Sequence, residues 1–495
     1  MYGASAPGDS DVRLFVTDPL FAWLRLEDLP QLSTLAQLLE VLPDQQLLDG
    51  LRAARGKGRN DFPVERLWGV LLLSVSLRHT SFESCIAELH RNPSLCRLIG
   101  ITSVEQIPNG WNVSRFLDVL GQEPHLSRLR VVFDCLVTRL GVAIPDLGRH
   151  TAADATGLNA RPKKDPEAVA DEVQQGLPQP SGGRKEYKDD EGRVTKVVEW
   201  DGYKLHIMVD VKHEVPLAYC VSDTKTGDNE RVAPLLEQAK ANLPEDRIQT
   251  MAYDKAADDE KVHQCLHEAG IKPLIQNRAL WQQDPERPLP GPKGRYPLNV
   301  VHDEAGTVYC YDQSGKVPVR HRMAYIGYEK DRQTLKYRCP ARHEGWQCGN
   351  DGRCNEGKEY GLIVRVDHTL DLRRFPPIPR ATKQFEERYK GRTAVERVNA
   401  RTKIFWGVDD GNVRGARRFH AYVGVVMIVC VAFATLLAKT ARKEGSMGDT
   451  RLSPIALALE EALATEALEG VPPVEGDGAQ ADQSVGPEAQ EVNTG

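Results

Sequence analysis

The sequence is 495 residues long, enough for two or three domains, and 41% hydrophobic with 27% charged residues is typical of a globular protein with a large core. The N-terminal residues MYGASAPGDSDVRLF contain neither a basic nor an apolar segment, so we expect no secretory signal peptide and ten reduced cysteines in a cytoplasm. Nine acidic residues and no Lys or Arg lie between Leu452 and Gly495, and the preceding 451 residues carry 64 basic and 61 acidic groups, a net charge of +3. A mildly basic body with an acidic tail is compatible with a polyanionic partner.

Residues 1–147 predict a helical N-terminal domain. Thr80 and Glu83 have the spacing of a capping box, and Gly100 ends a later helical segment. The basic loop RAARGKGRN (52–60) suits contact with DNA, although the same loop is explained equally well as a solvated connection. A helix-turn-helix is compatible with this domain, but no pattern in it is specific for reading a DNA groove.

Residues 148–280 predict an α/β sheet covered by helices. Strand-like runs at 152–157, 203–211, 217–223, 248–254 and 272–276 are followed or separated by helical segments at 228–241 and 257–269. Residues 159–196 are charged and rich in Pro and Gly, which predicts a mobile excursion from this domain.

The C-terminal half changes character three times. Residues 281–380 predict a β-rich insertion, and residues 381–440 predict a long helical segment and a closing apolar helix. The run from 421 to 438 contains no charge and reaches the lower limit for a membrane span, but we favour a buried core helix. Residues 441–495 predict a largely disordered, acidic tail.

One helical stretch, ERYKGRTAVERVNARTKIFWG, concentrates polar groups on a single face. At roughly 100° per residue, Tyr389, Arg392, Glu396 and Lys403 fall within a stripe roughly 60° wide. A carboxylate beside a hydroxyl, a guanidinium and an ammonium suits a metal ion next to a phosphate backbone. The alternative is an ordinary solvated helix face with (i, i+4) ion pairs.

Two aspartates complement this face. Asp154 and Asp254 each end or follow a strand-like run, a position from which side chains converge in a shared crevice. Together with Glu396, they predict a site for one or two Mg²⁺ ions that activate water or a 3′ hydroxyl for phosphoryl transfer. Either aspartate alone is explained equally well as a turn or N-cap residue, and Asp258 is the substitute ligand if Asp254 is not one.

The spacing Tyr389-x2-Arg392-x3-Glu396-x6-Lys403 resembles the tyrosine-arginine-glutamate-lysine signature of bacterial insertion-sequence DDE transposases. Asp154 in TAADATG and Asp254 in AYDKAADDE resemble the first and second acids of that family. The resemblance covers roughly residues 50–440 and implies a ribonuclease-H-like mixed sheet with flanking helices, a helical DNA-binding N-terminal domain and a β-rich insertion before the glutamate. Lys255 and Ala256 follow Asp254 where the family more usually has glycine or tyrosine.

The resemblance also implies a function and roles for the matching residues. We expect a transposase that binds the inverted-repeat ends of its element and catalyses strand cleavage and strand transfer. Asp154, Asp254 and Glu396 are expected to hold Mg²⁺, for which Mn²⁺ substitutes. Tyr389, Arg392 and Lys403 are expected to contact end DNA. We further expect a dimer in the DNA complex, target DNA as second partner, no membrane association, and a bacterial cytoplasmic protein on the nucleoid when bound.

Two other functions stay open on the sequence. A catalytically silent, transposase-derived DNA-binding protein would keep the fold without cleavage, and a plain metal-dependent nuclease would cut without joining. A separate candidate site lies in the insertion, where Cys310, Cys339, Cys348 and Cys354 could form a structural Zn²⁺ site, although their spacing is not that of a standard zinc finger and they could equally be ordinary thiols.

Overall fold

The computed structural model describes residues 32–56, 62–161, 165–189, 193–283, 285–289, 299–410 and 413–439. Residues 1–31, much of the basic loop at 57–61 and the predicted acidic tail at 441–495 lie outside the described residues.

The described part of the N-terminal region is helical, as predicted, because its apolar residues recur at helical spacing and pack on one another. The helices are α1 (Leu32–Val41), α2 (Gln45–Arg55), α3 (Val64–Ser76), α4 (Phe82–Arg91), α5 (Pro93–Leu98), α6 (Gly110–Leu120) and α7 (His125–Ala143). The capping box of α4 lies one residue later than predicted, since Ser81 and Ser84, rather than Thr80 and Glu83, cap each other's backbone amides.

The central sheet has the ribonuclease-H-like arrangement that the sequence predicts. Its strands and the helices between them are β1 (His150–Asn159), α8 (Pro166–Gln174), β2 (Ser181–Lys188), β3 (Val194–Asp210), β4 (Pro216–Ser222), α9 (Val232–Asn242), β5 (Thr250–Tyr253), α10 (Glu260–Glu268) and β6 (Lys272–Ile275). The strand order is β4-β3-β1-β5-β6, with β3 antiparallel to β1 and β4, and with β5 parallel to β1 and β6. All four residues of β5 are buried, as expected for a parallel strand at the centre of a sheet.

Residues 159–196 differ from the predicted mobile excursion, because their described part forms α8 and then a hairpin of β2 with the first half of β3. The indole ring of Trp200 explains the order of the hairpin. A Cβ atom added to Gly157 of β1 or Gly183 of β2 would lie 2.4 or 2.3 Å from that ring, so the ring lies flat against both strands. The base of the hairpin is fixed by a 2.6 Å contact between the hydroxyls of Ser181 and Thr224.

The β-rich insertion is present and has a hydrophobic core of its own. Its elements are β7 (Glu286–Pro288), β8 (Val300–Asp303), β9 (Val308–Asp312), β10 (Val319–Arg322), β11 (Ala324–Glu329), β12 (Thr334–Arg338), α11 (Pro340–Glu344), α12 (Asp351–Cys354) and β13 (Ile363–Asp367). The strands form a four-stranded sheet, β10-β9-β8-β7, and a three-stranded sheet, β11-β12-β13. Among the described residues of the insertion, nine buried side chains form the small core between the sheets: Leu289, Val300, Val308, Met323, Leu335, Tyr337, Val364, Val366 and Phe375.

The helical segment after the insertion is not one regular α-helix. Helix α13 (Lys383–Tyr389) passes into a 3₁₀ turn (Lys390–Arg392), then into α14 (Thr393–Ala400) and a π turn (Arg401–Phe405). Helix α14 packs against β1 and β3, which brings this segment to the central sheet.

Helix α15 (Ala416–Lys439) closes the fold as the predicted core helix. By length and composition its residues Ala416–Leu436 could cross a membrane, but 83% of the apolar window is buried inside the protein. The helix contacts α1, α3, α6 and α7 as well as β4. An apolar surface all around a helix is explained by this central position in the core.

Candidate active site

Asp254 directly follows the end of β5, as predicted, whereas Asp154 lies in the middle of the neighbouring parallel strand β1 rather than at its end. The last register pair between β1 and β5 joins Ala152 to Ala252, and each aspartate lies two residues further along its chain. Because side chains alternate with a period of two, both aspartates share a face with that alanine pair. The predicted convergence of these two acids is therefore built into the register of the sheet.

The backbone near each carboxylate holds it in place. Asp154 Oδ1 accepts a 2.8 Å hydrogen bond from the amide of Ala155. Asp254 is the N-cap of a 3₁₀ turn, where its Oδ1 accepts a 2.9 Å hydrogen bond from the amide of Ala256. An N-cap role and a role in the site are thus compatible for Asp254, since one oxygen stays available.

The electrostatics around Asp154 identify its neighbours. The pKa of Asp154 is raised to about 6, chiefly by burial and also by the charge of Asp254, against the lowering effects of the Ala155 amide, Lys185 and Arg392. The carboxylate therefore lies in a partly desolvated crevice beside a second acid and two basic side chains. A cation bound there would relieve the repulsion between the two acids.

Glu396 forms an ion pair with Arg392, which is a neighbour of Asp154. Arg392 Nη2 donates a 2.7 Å hydrogen bond to Glu396 Oε1, which is the (i, i+4) pair that the alternative interpretation of this helix predicts. Arg392 also faces Asp154, whose charge, together with those of Glu396 and Tyr389, raises the pKa of the guanidinium despite the opposing effect of burial. Half of the Glu396 side chain is exposed.

The two aspartates are neighbours, and Glu396 is connected to them only through Arg392. Within the residues that the structure describes, no group of three or more His, Cys, Asp or Glu side chains is spaced to hold a metal ion. The two aspartates have the oxygen chemistry that Mg²⁺ prefers, and Glu396 would have to exchange Arg392 for the cation. The donor set thus fits a divalent metal once that ion pair opens.

The residues expected to contact DNA on the same segment lie in two different places. Tyr389 stacks on Phe385, with ring centroids 5.5 Å apart, and burial raises the pKa of its hydroxyl next to Arg392 and Asp254. Lys403 instead reaches β1, where its Nζ donates to the carbonyl of Gly157, and it pairs with Asp409 at 3.3 Å.

The π turn accounts for the different position of Lys403. A regular helix would advance by about 100° per residue between Glu396 and Lys403, whereas the last three residues here advance by only about 80° each. Lys403 is thereby rotated roughly 60° from the stripe that the sequence predicts. The 3₁₀ turn rotates by more per residue than an α-helix does. Tyr389 and Arg392, which are three residues apart, therefore lie almost directly above one another.

Asp258 is not a substitute metal ligand, because other groups already surround it. Its side chain is fully buried and accepts hydrogen bonds from Arg373 Nε at 2.9 Å and Arg380 Nη2 at 3.1 Å. The backbone amide of Arg278 and the ring of His263 provide further contacts. Burial raises the pKa of Asp258, but the hydrogen bonds from His263 and the Arg278 amide, followed by the charges of the two arginines, lower it below its ordinary value. The carboxylate therefore anchors the end of the insertion to the loop after Asp254.

Lys185 is a neighbour of the site that the sequence does not single out. It lies on β2, and its charge lowers the pKa of Asp154. Strand β3 turns at Gly202, whose φ of +157° and contact with the carbonyl of Leu158 leave no space for a Cβ atom, and the hairpin folds back over β1 from there. The alternation in VTKVVEW is the local signal that could have predicted this hairpin.

The four insertion cysteines lie outside this crevice. All are free thiols, with Cys310 on β9, Cys339 directly before α11, Cys348 in the turn after it, and Cys354 at the end of α12.

Comparisons with known proteins identify the family of this chain. Residues 145–431 match the family model described as "Transposase DDE domain", and residues 25–118 match the model described as "Transposase domain (DUF772)". No protein of curated function matches the chain. Among solved structures, the piggyBac transposase synaptic complex with hairpin DNA aligns with 92% of this chain and 84% of its own, at 11% identity and a TM-score of 0.34, a likeness too slight to support an argument.

Proposed function

This chain belongs to the DDE transposase family and is a DNA transposase, and on that basis we propose that it cuts the inverted-repeat ends of its element and joins them to target DNA with divalent metal ions. Asp154, Asp254 and Glu396 are the proposed ligands. Members of this family use divalent metal ions, and we propose Mg²⁺, with Mn²⁺ as substitute, because oxygen-only donors suit these ions.

One observation carries the proposal, namely that Asp154 on β1 and Asp254 directly after β5 each lie two residues beyond the last register pair of these strands. Two acids held side by side in a partly buried crevice repel each other, and the raised pKa of Asp154 reflects both burial and that repulsion. Such a pair is poorly explained as a stabilising feature of the sheet. It is well explained as a cation site whose charge is balanced only when the ligand is bound.

We assign Arg392 one role before DNA binds and another after it. In this structure it neutralises Glu396 at 2.7 Å and faces Asp154. We propose that the guanidinium moves from Glu396 to a phosphate of the element end when DNA enters, since guanidinium binds phosphate as well as it binds carboxylate. Glu396 is then free to turn toward the two aspartates. The bound metal would supply Lewis acidity and an activated hydroxyl.

The remaining proposed contacts position the DNA. Tyr389 donates a hydrogen bond to an end phosphate, and Lys403 neutralises one near the carbonyl of Gly157, where its ammonium lies. We assign recognition of the repeat to the helical domain, residues 1–147, and catalysis to residues 148–280 together with 381–440. Because two ends must be cut and joined together, the active complex contains at least two copies of the chain.

The test is cleavage of a duplex that carries the DNA flanking the gene, in Mg²⁺ or Mn²⁺, with a plasmid as target. Wild type is compared with Glu396→Gln and with the control Glu386→Gln, which removes another exposed glutamate of the same segment, paired with Lys390 at 3.2 Å. We expect cleavage at the repeat boundary and joined products from wild type and the control. Glu396→Gln should lose at least about a hundredfold in rate while binding the same duplex.

Other outcomes would select a different function. Cleavage without joined products would identify a nuclease. Metal-independent binding with no cleavage by any variant would identify a silent DNA-binding protein, and equal cleavage by wild type and Glu396→Gln would remove Glu396 from the site.

A further inference from the structure

Four cysteines lie on neighbouring elements of the β-rich insertion. They lie on β9 and around the two short helices α11 and α12. The pKa of the Cys310 thiol is raised to about 12, chiefly by burial, and the thiols of Cys339, Cys348 and Cys354 each contribute to this rise. All three must therefore lie within electrostatic reach of Cys310.

Hydrogen bonds to Tyr311 and Asp312, the residues after Cys310, bring two of these cysteines to β9. Asn299 Nδ2 donates to the carbonyl of Tyr311 at 2.9 Å and contacts Cys354 Sγ at 3.8 Å. Cys348 Sγ donates to Asp312 Oδ2 at 3.5 Å, and the amide of the next residue, Gly349, donates to the same oxygen at 2.8 Å.

Cys339 is tied to the same place through Asn355. The side-chain amide of Asn355, a buried residue, donates to Cys339 Sγ at 3.4 Å, and its Oδ1 accepts from the amide of Leu362 at 2.6 Å. Since Asn355 directly follows Cys354, this contact joins the α11 side of the cluster to the α12 side. Two of the four sulfurs thus already receive N–H contacts from buried or half-buried amides.

We propose that Cys310, Cys339, Cys348 and Cys354 bind one structural Zn²⁺ ion as a tetrathiolate site. Four thiols that converge in a reducing compartment suit a soft-ligand, four-coordinate site, for which Zn²⁺ is the usual metal. Amide N–H groups aimed at sulfur are the outer-sphere contacts that orient thiolate ligands. This site is independent of the proposed catalytic function, because none of its ligands lies in the catalytic crevice.

Binding requires the sulfurs to move inward. Among the described residues no set of three or more potential ligands is spaced for a metal, so the thiols stand further apart here than around zinc. A change of χ1 rotamer moves a cysteine sulfur by roughly 3 Å without moving the backbone. The small core of the insertion, with nine buried residues, explains what the ion would contribute, since small folds commonly use a metal for stability.

The test measures metal content of the purified full-length protein grown with added zinc. We expect one zinc per chain in wild type and in a control, Cys135→Ser with Cys265→Ser, whose cysteines lie outside the insertion. The double variant Cys310→Ser with Cys339→Ser should contain no zinc and melt at a lower temperature. Glu396→Gln should keep its zinc, which separates this site from the catalytic one.

A second measurement covers the case in which the double variant does not fold. Metal-depleted wild type is titrated with Co²⁺, and the visible bands of tetrahedral Co²⁺–thiolate coordination should appear and saturate at one equivalent. Absence of those bands together with wild type free of zinc would overturn the proposal, and so would zinc retained by a folded double variant.

Discussion

Replacing Asp154 by asparagine should stabilise the protein at the expense of its activity. The Asp154 carboxyl has a pKa of about 6 in the folded chain, against an ordinary value of 3.8, chiefly because it is buried. Asparagine keeps an oxygen that can accept the hydrogen bond from the amide of Ala155, but it carries no charge to desolvate. The substitution therefore removes the cost of burying a charge and keeps the hydrogen bond from the amide of Ala155.

The size of the effect depends on pH in a way that follows from the two pKa values. Below pH 3.8 the carboxyl is protonated in both the folded and the unfolded chain, and it costs nothing. Between pH 3.8 and about 6 the unfolded chain loses the proton first, so the free energy of unfolding falls as pH rises. The cost reaches about 3 kcal/mol at pH 8 and is about half of that at pH 5.

The assay is the thermal unfolding midpoint of wild type and Asp154→Asn at pH 8 and pH 5, without metal. We expect a higher midpoint for Asp154→Asn, with the larger gain at pH 8, and no such pattern for the exposed control Asp331→Asn. Added Mg²⁺ should raise the midpoint of wild type more than that of Asp154→Asn. A gain of the same size at both pH values, or a midpoint below that of wild type at pH 8, would refute the reasoning.

Two further substitutions test the surroundings of the site. Asp258→Ala leaves two largely buried arginines without their carboxylate and should lower the free energy of unfolding by about 3–5 kcal/mol. The control Asp259→Ala removes one N-cap hydrogen bond and should lower it by about 1 kcal/mol. Equal losses of the two variants in urea denaturation would contradict the anchoring role of Asp258. Lys185→Ala should weaken binding of end DNA and reduce its dependence on salt by about one ionic contact, while Lys272→Ala, at the start of β6, should not, and a gel-shift titration at several salt concentrations compares them.

The sequence predicts the two aspartates well because their positions depend on local patterns. A short run of small or apolar residues that leads to an acid singles out Asp154 and Asp254 without knowledge of the rest of the fold, although β1 continues beyond Asp154 to Asn159. Their common face depends only on the parallel pairing of β1 with β5, which the ribonuclease-H-like arrangement requires.

The same reasoning fails where distant contacts decide the structure. The charged composition of residues 159–196 suggests no order, and their hairpin is held by Trp200 lying on Gly157 and Gly183. The rotation of Lys403 is equally hidden, since a π turn has no reliable sequence signature and the ammonium finds its partners, Gly157 and Asp409, only in the folded chain.

The position of α15 has a consequence for how the protein is made. Ala416–Lys439 is among the last described segments to leave the ribosome, yet it fills the space between helices that are made first. The packing is close: a Cβ atom added to Gly121 would lie 2.2 Å from the carbonyl oxygen of Arg417. The apolar faces of the early helices therefore stay uncovered until translation has passed residue 439. A message truncated before α15 should therefore yield an insoluble product, so a damaged copy of the gene would leave behind no soluble N-terminal fragment.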